Sequence, residues 1–208
     1  MTGPINRSAI IAKLQRDLLP LQGFKTITNS DLRLPGLGAI NSAFPHACFP
    51  LGAVHEFICS GEQDNAATSG FIAGILGALI RQGAPAIWIG GSSLFPNALF
   101  SYGIPAERII IMDQPKPKEM LWAMEEALKC EGLAAVVGEI PDLSFTVSRR
   151  LQLAVEQSRV TGFILRLKPR QVGITACIAR LARRFRAWLL RSVETTAASA
   201  SSKSLNGL

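Results

Sequence analysis

The strongest candidate for chemistry in this chain lies between residues 50 and 83. An apolar run at residues 53–59 leads to a glycine, Gly61, and a long apolar segment covers residues 69–82. A strand, a glycine turn and a helix in this order are typical of a phosphate-binding P-loop, written Gly, four residues, Gly-Lys and Ser or Thr. In that frame Gly61 is the first glycine and Thr68 is the hydroxyl residue that would reach Mg²⁺.

The same frame lacks the charge that a nucleotide site needs. Ala66 stands at the second glycine and Ala67 at the lysine, while Glu62 and Asp64 lie in the predicted loop. The lysine of a working P-loop binds the β- and γ-phosphates. Without that lysine, the two loop carboxylates would repel a triphosphate by several kcal/mol at an effective dielectric of roughly 20. We therefore predict a degenerate nucleotide loop that neither binds ATP tightly nor hydrolyses it.

Other groups for catalysis are few. A catalytic glutamate could follow the second apolar run, but residues 90–93 are Gly-Gly-Ser-Ser. Glu139 follows the fourth run and is the candidate acid on the Mg²⁺ side; the alternative is a solvated carboxylate at a strand end. Of the two histidines, His46 and His55, the second lies in a predicted buried strand and suggests a structural role. We expect no enzyme activity and no cofactor.

Composition favours one globular domain with extensions. The chain has 208 residues, of which 48% are hydrophobic and 18% charged. No apolar run is long enough to span a bilayer, and the N-terminus does not have the pattern of a signal peptide, so we expect a cytoplasmic protein. The four cysteines contain no CxxC pair. We expect each of them to be a small buried hydrophobic residue in a reducing compartment; they are Cys48, Cys59, Cys130 and Cys177.

The net charge of +7 is concentrated in one segment. Residues 157–193 hold nine basic residues and no acid, whereas the rest of the chain holds 13 basic and 15 acidic residues. A local basic cluster favours contact with DNA phosphate or an acidic protein. A solvated helix face and a membrane-surface helix are the alternatives. The candidate contact residues are Arg166, Lys168, Arg170, Arg180, Arg183, Arg184 and Arg186.

Apolar strands alternate with amphipathic helices along most of the chain. This pattern predicts an α/β fold: a doubly wound, mostly parallel sheet with helices on both faces. Its continuous apolar runs suggest central strands. We predict strands at 53–59, 86–89, 108–112, 133–137 and 161–166, and helices at 9–19, 69–82, 96–102, 118–130 and 144–158, the last capped by Ser144 or Asp142. A sixth strand at 173–178 and a last helix at 178–190 are less regular.

Three regions follow from these elements. Residues 1–49 are predicted to be an N-terminal helix and a wrapping linker, and residues 50–192 the core with its basic C-terminal segment. Residues 193–208 are rich in Ala and Ser and are predicted to be disordered.

Several segments resemble the core of the RecA recombinase. The similar segments are the entry strand at residues 50–57, Asp113-Gln114-Pro115, the helix at 118–130 and the strand at 133–137. Within that superfamily the chain most resembles ImuA, through Phe44-Pro45, Phe49-Pro50, His55-Glu56-Phe57 and residues 162–166. The resemblance covers about residues 18–179. Beyond Ala179 the chain departs from the family pattern, which has a further strand and an aromatic-rich tail.

The resemblance implies a function that the residues alone do not give. ImuA-like proteins are RecA-like accessories of damage-induced translesion synthesis, together with the Y-family-like protein ImuB and a DnaE-type polymerase. The implied partners are therefore an ImuB-like protein and, as further candidates, RecA and DNA. Two alternatives are a residual ATP-binding switch that uses Thr68 and Glu139, and a SulA-like inhibitor of cell division that binds FtsZ.

Overall fold

The structure, a computed structural model, describes residues 14, 37–44, 47–81, 83–90, 94, 96–113 and 116–182. The chain forms two compact units, Met1–Leu51 and Gly52–Leu208. In the first unit, helix α1 spans Gly38–Ser42, and the rings of Phe44 and Phe49 meet edge to face at 5.3 Å. The predicted helix at residues 9–19 lies outside the described residues except for Leu14, and so do residues 193–208.

The second unit is built on a six-stranded sheet. Its strands are β1 (Val54–Cys59), β2 (Ala86–Ile89), β3 (Ile109–Met112), β4 (Ala135–Glu139), β5 (Thr161–Leu167) and β6 (Ala179–Leu181). The spatial order is β3-β2-β4-β5-β1-β6, and every neighbouring pair is parallel. The helices between them are α2 (Glu62–Ile80), α3 (Pro96–Phe100), α4 (Pro117–Leu128) and α5 (Phe145–Ser158).

Helices cover both faces of this sheet. On one face, Val54, Val136 and Ile164 form a core with the apolar sides of α4 and α5. Side chains alternate along a strand, so Phe57 points to the other face, where its ring lies 6.0 Å from that of Phe71 in α2. The predicted doubly wound α/β fold with a parallel sheet is therefore confirmed. No helix among the described residues is both long and apolar enough to cross a membrane.

Helix α5 shows how local sequence sets a boundary. The Ser144 hydroxyl accepts a hydrogen bond from the Val147 amide at 3.2 Å, which makes Ser144 the N-cap and not Asp142. The helix ends at Arg159, whose backbone is left-handed (φ 68°) and whose amide donates to the Val155 carbonyl. A polar cap at the start and a left-handed residue at the end are common helix boundaries.

The sixth strand and the last helix were placed wrongly from the sequence. Residues 173–178 have no regular structure, and the strand is β6, which pairs with β1 through His55↔Ala179 and Phe57↔Leu181. The predicted helix at 178–190 is therefore wrong over β6, and residues 183–190 lie outside the described residues. Ile178 and Leu181 fit a helical period as well as a strand, and the free edge of β1 decides between them.

The interpretation of each apolar run as a central strand is wrong for β3. This strand lies at the edge of the sheet, and Ile110 and Ile111 are exposed. An unbroken apolar run predicts a strand but does not say how many neighbours it has.

Candidate functional site

Because all strands are parallel, the segments that leave β1, β4 and β5 emerge at the same end of the sheet, where the strands have their carboxyl ends. Open α/β sheets bind ligands at the carboxyl ends of their strands. Gly61 follows β1, Pro141 follows β4 and Lys168 follows β5. The topology therefore brings the predicted nucleotide residues and part of the basic segment to the carboxyl end of the sheet.

The residues predicted to form a nucleotide loop are helical. Helix α2 begins at Glu62, with Gly61 as its extended N-cap, and the Asn65 amide donates to the Gly61 carbonyl at 3.0 Å. Ala66, Ala67 and Thr68 thus lie in the second turn. The prediction of a loop over residues 60–68 is wrong, because amides beyond the first turn of a helix bind carbonyls and cannot surround a phosphate.

Local sequence explains why α2 begins so early. Ala66 stands where a P-loop would have glycine, and alanine favours a helix over glycine by about 1 kcal/mol. Ala67 is an equally good helix former. Glu62 and Asp64 occupy the first turn, where carboxylates interact favourably with the helix dipole. Asp64 also accepts a hydrogen bond from the Ser60 amide at 3.1 Å. The substitutions that remove the phosphate-binding charge therefore also favour a helix in place of the loop.

Thr68 and Glu139 take part in packing contacts. The buried Thr68 hydroxyl accepts a hydrogen bond from the Cys59 thiol at 3.5 Å, and burial raises the pKa of that thiol. Glu139 lies within β4 and accepts a hydrogen bond from the indole of the buried Trp88 at 3.0 Å. Glu139 is thus neither a fully solvated acid nor a residue beyond the strand end.

The remaining candidates for chemistry are structural in the described residues. His55 is buried in β1 and stacks on Phe163 with 5.8 Å between ring centroids, as expected for a structural histidine. The expectation of four buried cysteines holds fully only for Cys59, because Cys48 and Cys177 are half-buried and Cys130 is exposed. Burial raises the pKa of the Cys177 thiol to about 11. His46 lies outside the described residues.

A buried charge cluster lies between β1, β5 and β6. The Glu56 carboxylate accepts hydrogen bonds from Arg166 Nη1 at 2.6 Å, Arg180 Nε at 2.7 Å and the Thr175 hydroxyl at 2.8 Å. Glu56 has no exposed surface, and Arg166 is only 1% exposed. Arg166 also donates to the carbonyls of Pro141 and Gln171. Since an unpaired buried charge is costly, the fully buried Glu56 and Arg166 each depend on the other.

The cluster corrects the predicted contact surface. Arg166 is buried, so it cannot be an exposed partner or DNA contact. Arg180 is one-third exposed and is held by Glu56. Lys168 and Arg170 are exposed, while Arg183, Arg184 and Arg186 lie outside the described residues.

Sequence reasoning missed Glu56, and its signal was weak. The residue stands among apolar neighbours in a predicted buried strand, where a carboxylate needs a partner. Arg166 is a cation in the fifth predicted strand, but 110 residues separate it from Glu56. Only the pairing of β1 with β5 brings them together.

The pKa of Glu56 gives a prediction about acid stability. Burial alone would raise this pKa, but the hydrogen bonds from Arg166, Arg180 and Thr175 outweigh it, and the pKa lies below its ordinary value of 4.5. A folded-state pKa below the unfolded one adds stability above the unfolded pKa, which is lost as pH falls through the folded pKa. We expect the free energy of unfolding to decrease below about pH 5, measured by urea denaturation from pH 7 to pH 3.

The variant Glu56→Gln isolates this contribution. It should show a smaller loss of stability on acidification than the wild type, whereas Glu119→Gln, at an exposed ion pair with Lys116, should keep the wild-type pH profile. Equal acid dependence in wild type and Glu56→Gln would contradict the assignment.

Known proteins similar to this chain fall into two groups. Protein ImuA of Caulobacter vibrioides is 34% identical over 138 residues, which are 64% of this chain and 57% of that protein. Cell division inhibitor SulA of Yersinia pestis is 27% identical over 128 residues, 61% of this chain and 75% of that protein. The crystal structure of SulA from Pseudomonas aeruginosa matches with a TM-score of 0.47 at 24% identity, covering 55% of this chain and 97% of that one. No protein-family model matches.

The two ImuA relatives decide the relationship. Both are 34% identical to this chain, and the chain spans a little over half of their length. The resemblance inferred from the motifs in β1 and β5 is thereby confirmed: the chain is similar to the ImuA proteins over 138 residues.

Proposed function

We propose that the chain is a non-catalytic, RecA-like adaptor of damage-induced (SOS) translesion DNA synthesis and mutagenesis. In this role it works in the cytoplasm and binds an ImuB-like protein, with RecA and DNA as further candidate ligands. The similarity to ImuA carries the proposal. The helical residues 62–68 support it, because a helix at the position of the P-loop frame favours binding through a surface over ATP hydrolysis.

Co-purification tests this function. The full chain, tagged and expressed in cells treated with a DNA-damaging agent, should retain an ImuB-like protein supplied in the same cells. Loss of the partner from the eluate under low-salt conditions would contradict the adaptor role. Purified RecA added to a parallel column tests the second proposed contact separately.

The start of α2 argues against the residual ATP-binding switch. Ala67 lies in the second turn of the helix, so its backbone amide faces the preceding carbonyls and not a phosphate. We expect Ala67→Lys, which restores the P-loop lysine, to show no low-micromolar binding of Mg-ATP in isothermal titration calorimetry. The circular dichroism spectrum should be unchanged because lysine is a good helix former. Low-micromolar binding by this variant, or by the wild type, would favour the switch instead.

A second candidate function is inhibition of cell division. The relative from Yersinia pestis is named a cell division inhibitor, and the match covers three-quarters of that protein. In this role the chain would bind FtsZ. A pull-down with purified FtsZ beside an ImuB-like protein distinguishes the two, since retention of FtsZ alone would select the second function.

A further inference from the structure

A groove of about 430 Å³ opens beside the carboxyl end of β1, and neither the comparisons nor the nucleotide motif assign it a role. Apolar atoms form much of its wall, and two cationic side chains stand among the lining residues. The lining residues are Ile58, Cys59, Ser60, Lys168, Pro169, Val172, Arg180 and Ala182. The groove thus combines an apolar interior with positive charge.

The charge at this groove is only partly neutralised. Lys168 is largely exposed, and the nearest carboxylate oxygen paired with it, on the exposed Glu62, lies 3.8 Å away. An exposed pair at this distance contributes little. Arg170, two residues further along the loop, is exposed as well. Arg180 is held by the buried Glu56 and is one-third exposed, so Lys168 and Arg170 are the more accessible of the described cations near the groove.

The loop that forms one wall is held in place at several points. Arg166 donates to the Gln171 carbonyl, Arg180 to the Gly173 carbonyl, and the Ala176 amide to the Ser148 hydroxyl. Despite these anchors the loop exposes two aliphatic side chains, Val172 at 52% and Ile174 at 82%. Both aliphatic side chains are therefore accessible to a partner beside the groove.

We propose that this groove binds an acidic, amphipathic segment of a partner protein. An apolar side chain of the segment enters the groove beside Ile58, Pro169 and Val172, and its carboxylates face Lys168 and Arg170. The argument for this occupant is charge complementarity around an apolar interior. The inference rests on the proposed adaptor function, because it specifies the surface through which a partner is held.

The lining of the groove favours protein over nucleic acid. Proteins that bind single strands stack bases on aromatic rings, and none of the lining residues is aromatic. Duplex binding relies on contacts between phosphates and Lys or Arg side chains, and the lining residues that the structure describes include two, Lys168 and Arg180, of which Arg180 is paired with Glu56.

Fluorescence anisotropy on the full chain tests the groove. The probes are a fluorescein-labelled peptide of alternating Glu and Leu residues, its Lys-for-Glu counterpart, and a labelled oligo-dT strand. The acidic peptide should bind, and Lys168→Glu/Arg170→Glu should weaken it by about tenfold or more, equivalent to about 1.4 kcal/mol. Val172→Ser/Ile174→Ser, which keeps the charges, should weaken it by about threefold or more through lost apolar contact.

A matched control uses two lysines elsewhere on the surface. Lys116→Glu/Lys118→Glu makes the same charge change at the start of α4 and should leave peptide affinity within about twofold. Equal losses in both charge-reversal variants would show a general charge effect and overturn the proposal. Binding of oligo-dT but not of the acidic peptide would also overturn it, in favour of nucleic acid.

Two outcomes distinguish a failure of this inference from a failure of the adaptor function. If Lys168→Glu/Arg170→Glu still co-purifies with the ImuB-like protein and still binds the acidic peptide, the groove assignment fails and the function stands. If the wild type does not retain the partner at all, the adaptor function itself fails.

Discussion

Replacing Glu56 by glutamine is expected to lower the free energy of unfolding by about 3–5 kcal/mol, the usual cost of breaking a buried ion pair. The variant keeps the size of the side chain but removes the negative charge that faces Arg166 and Arg180. Arg166 then carries a charge at a site with almost no solvent contact. Urea denaturation followed by circular dichroism at pH 7 measures the loss.

Two further variants decide whether the effect belongs to the buried charge. Glu126→Gln removes an exposed ion pair with Lys129 and should cost no more than about 1 kcal/mol. Glu56→Met combined with Arg166→Met removes both charges and should recover much of the loss, because apolar residues often replace a buried pair at little cost. A decrease below about 1 kcal/mol for Glu56→Gln alone would contradict the description of this cluster.

The expected result for Gly77→Ala is a decrease in the free energy of unfolding of about 2 kcal/mol. A Cβ atom at this buried position of α2 would overlap the carbonyl oxygen of Tyr102, which belongs to the backbone and cannot rotate away. Overpacking a well-packed site costs about 1–3 kcal/mol or more, and a backbone obstacle favours the upper end of that range. The gain of up to about 1 kcal/mol in helix propensity offsets only part of it.

Gly74→Ala is the matched control, one turn earlier in the same helix. Its Cβ would meet only the Tyr102 ring, 4.0 Å away, which is an ordinary van der Waals contact. This variant should raise the free energy of unfolding by about 0.5–1 kcal/mol through helix propensity alone. The midpoints of thermal and urea denaturation should therefore decrease for Gly77→Ala and increase for Gly74→Ala, each relative to the wild type. A gain in stability for Gly77→Ala would show that α2 and the segment around Tyr102 are not in contact.

The nine cations between residues 157 and 193 illustrate the difference between composition and structure. From the sequence they looked like one contact surface. In the folded chain Arg166 and Arg180 hold the loop between β5 and β6 through Glu56, whereas Lys168 and Arg170 remain at the surface. One basic segment thus supplies both the anchor of a loop and the charge beside a groove.

The sequence by itself determined the parallel α/β fold. Apolar runs such as Ala86–Ile89 and Thr161–Leu167 alternate with amphipathic helices, and such runs are stable only when helices bury both faces of the sheet. That Ala67 stands where a P-loop would have lysine could likewise be identified directly, because it depends on residue type alone. Short motifs in β1 and β5 also indicated the relationship to ImuA, which the relatives confirm.

Only the tertiary structure decided which cations are exposed, which are buried, and whether residues 60–68 form a loop or a helix. Residues 60–68 fit the spacing of a loop, but their conformation depends on capping and on packing beneath the helix, which spacing does not encode. Glu56 and Arg166 become partners only when β1 pairs with β5, across 110 residues. Whether a cation is buried or exposed depends on such long-range pairings, since the cost of burying a charge is offset only by a partner brought into contact by the fold.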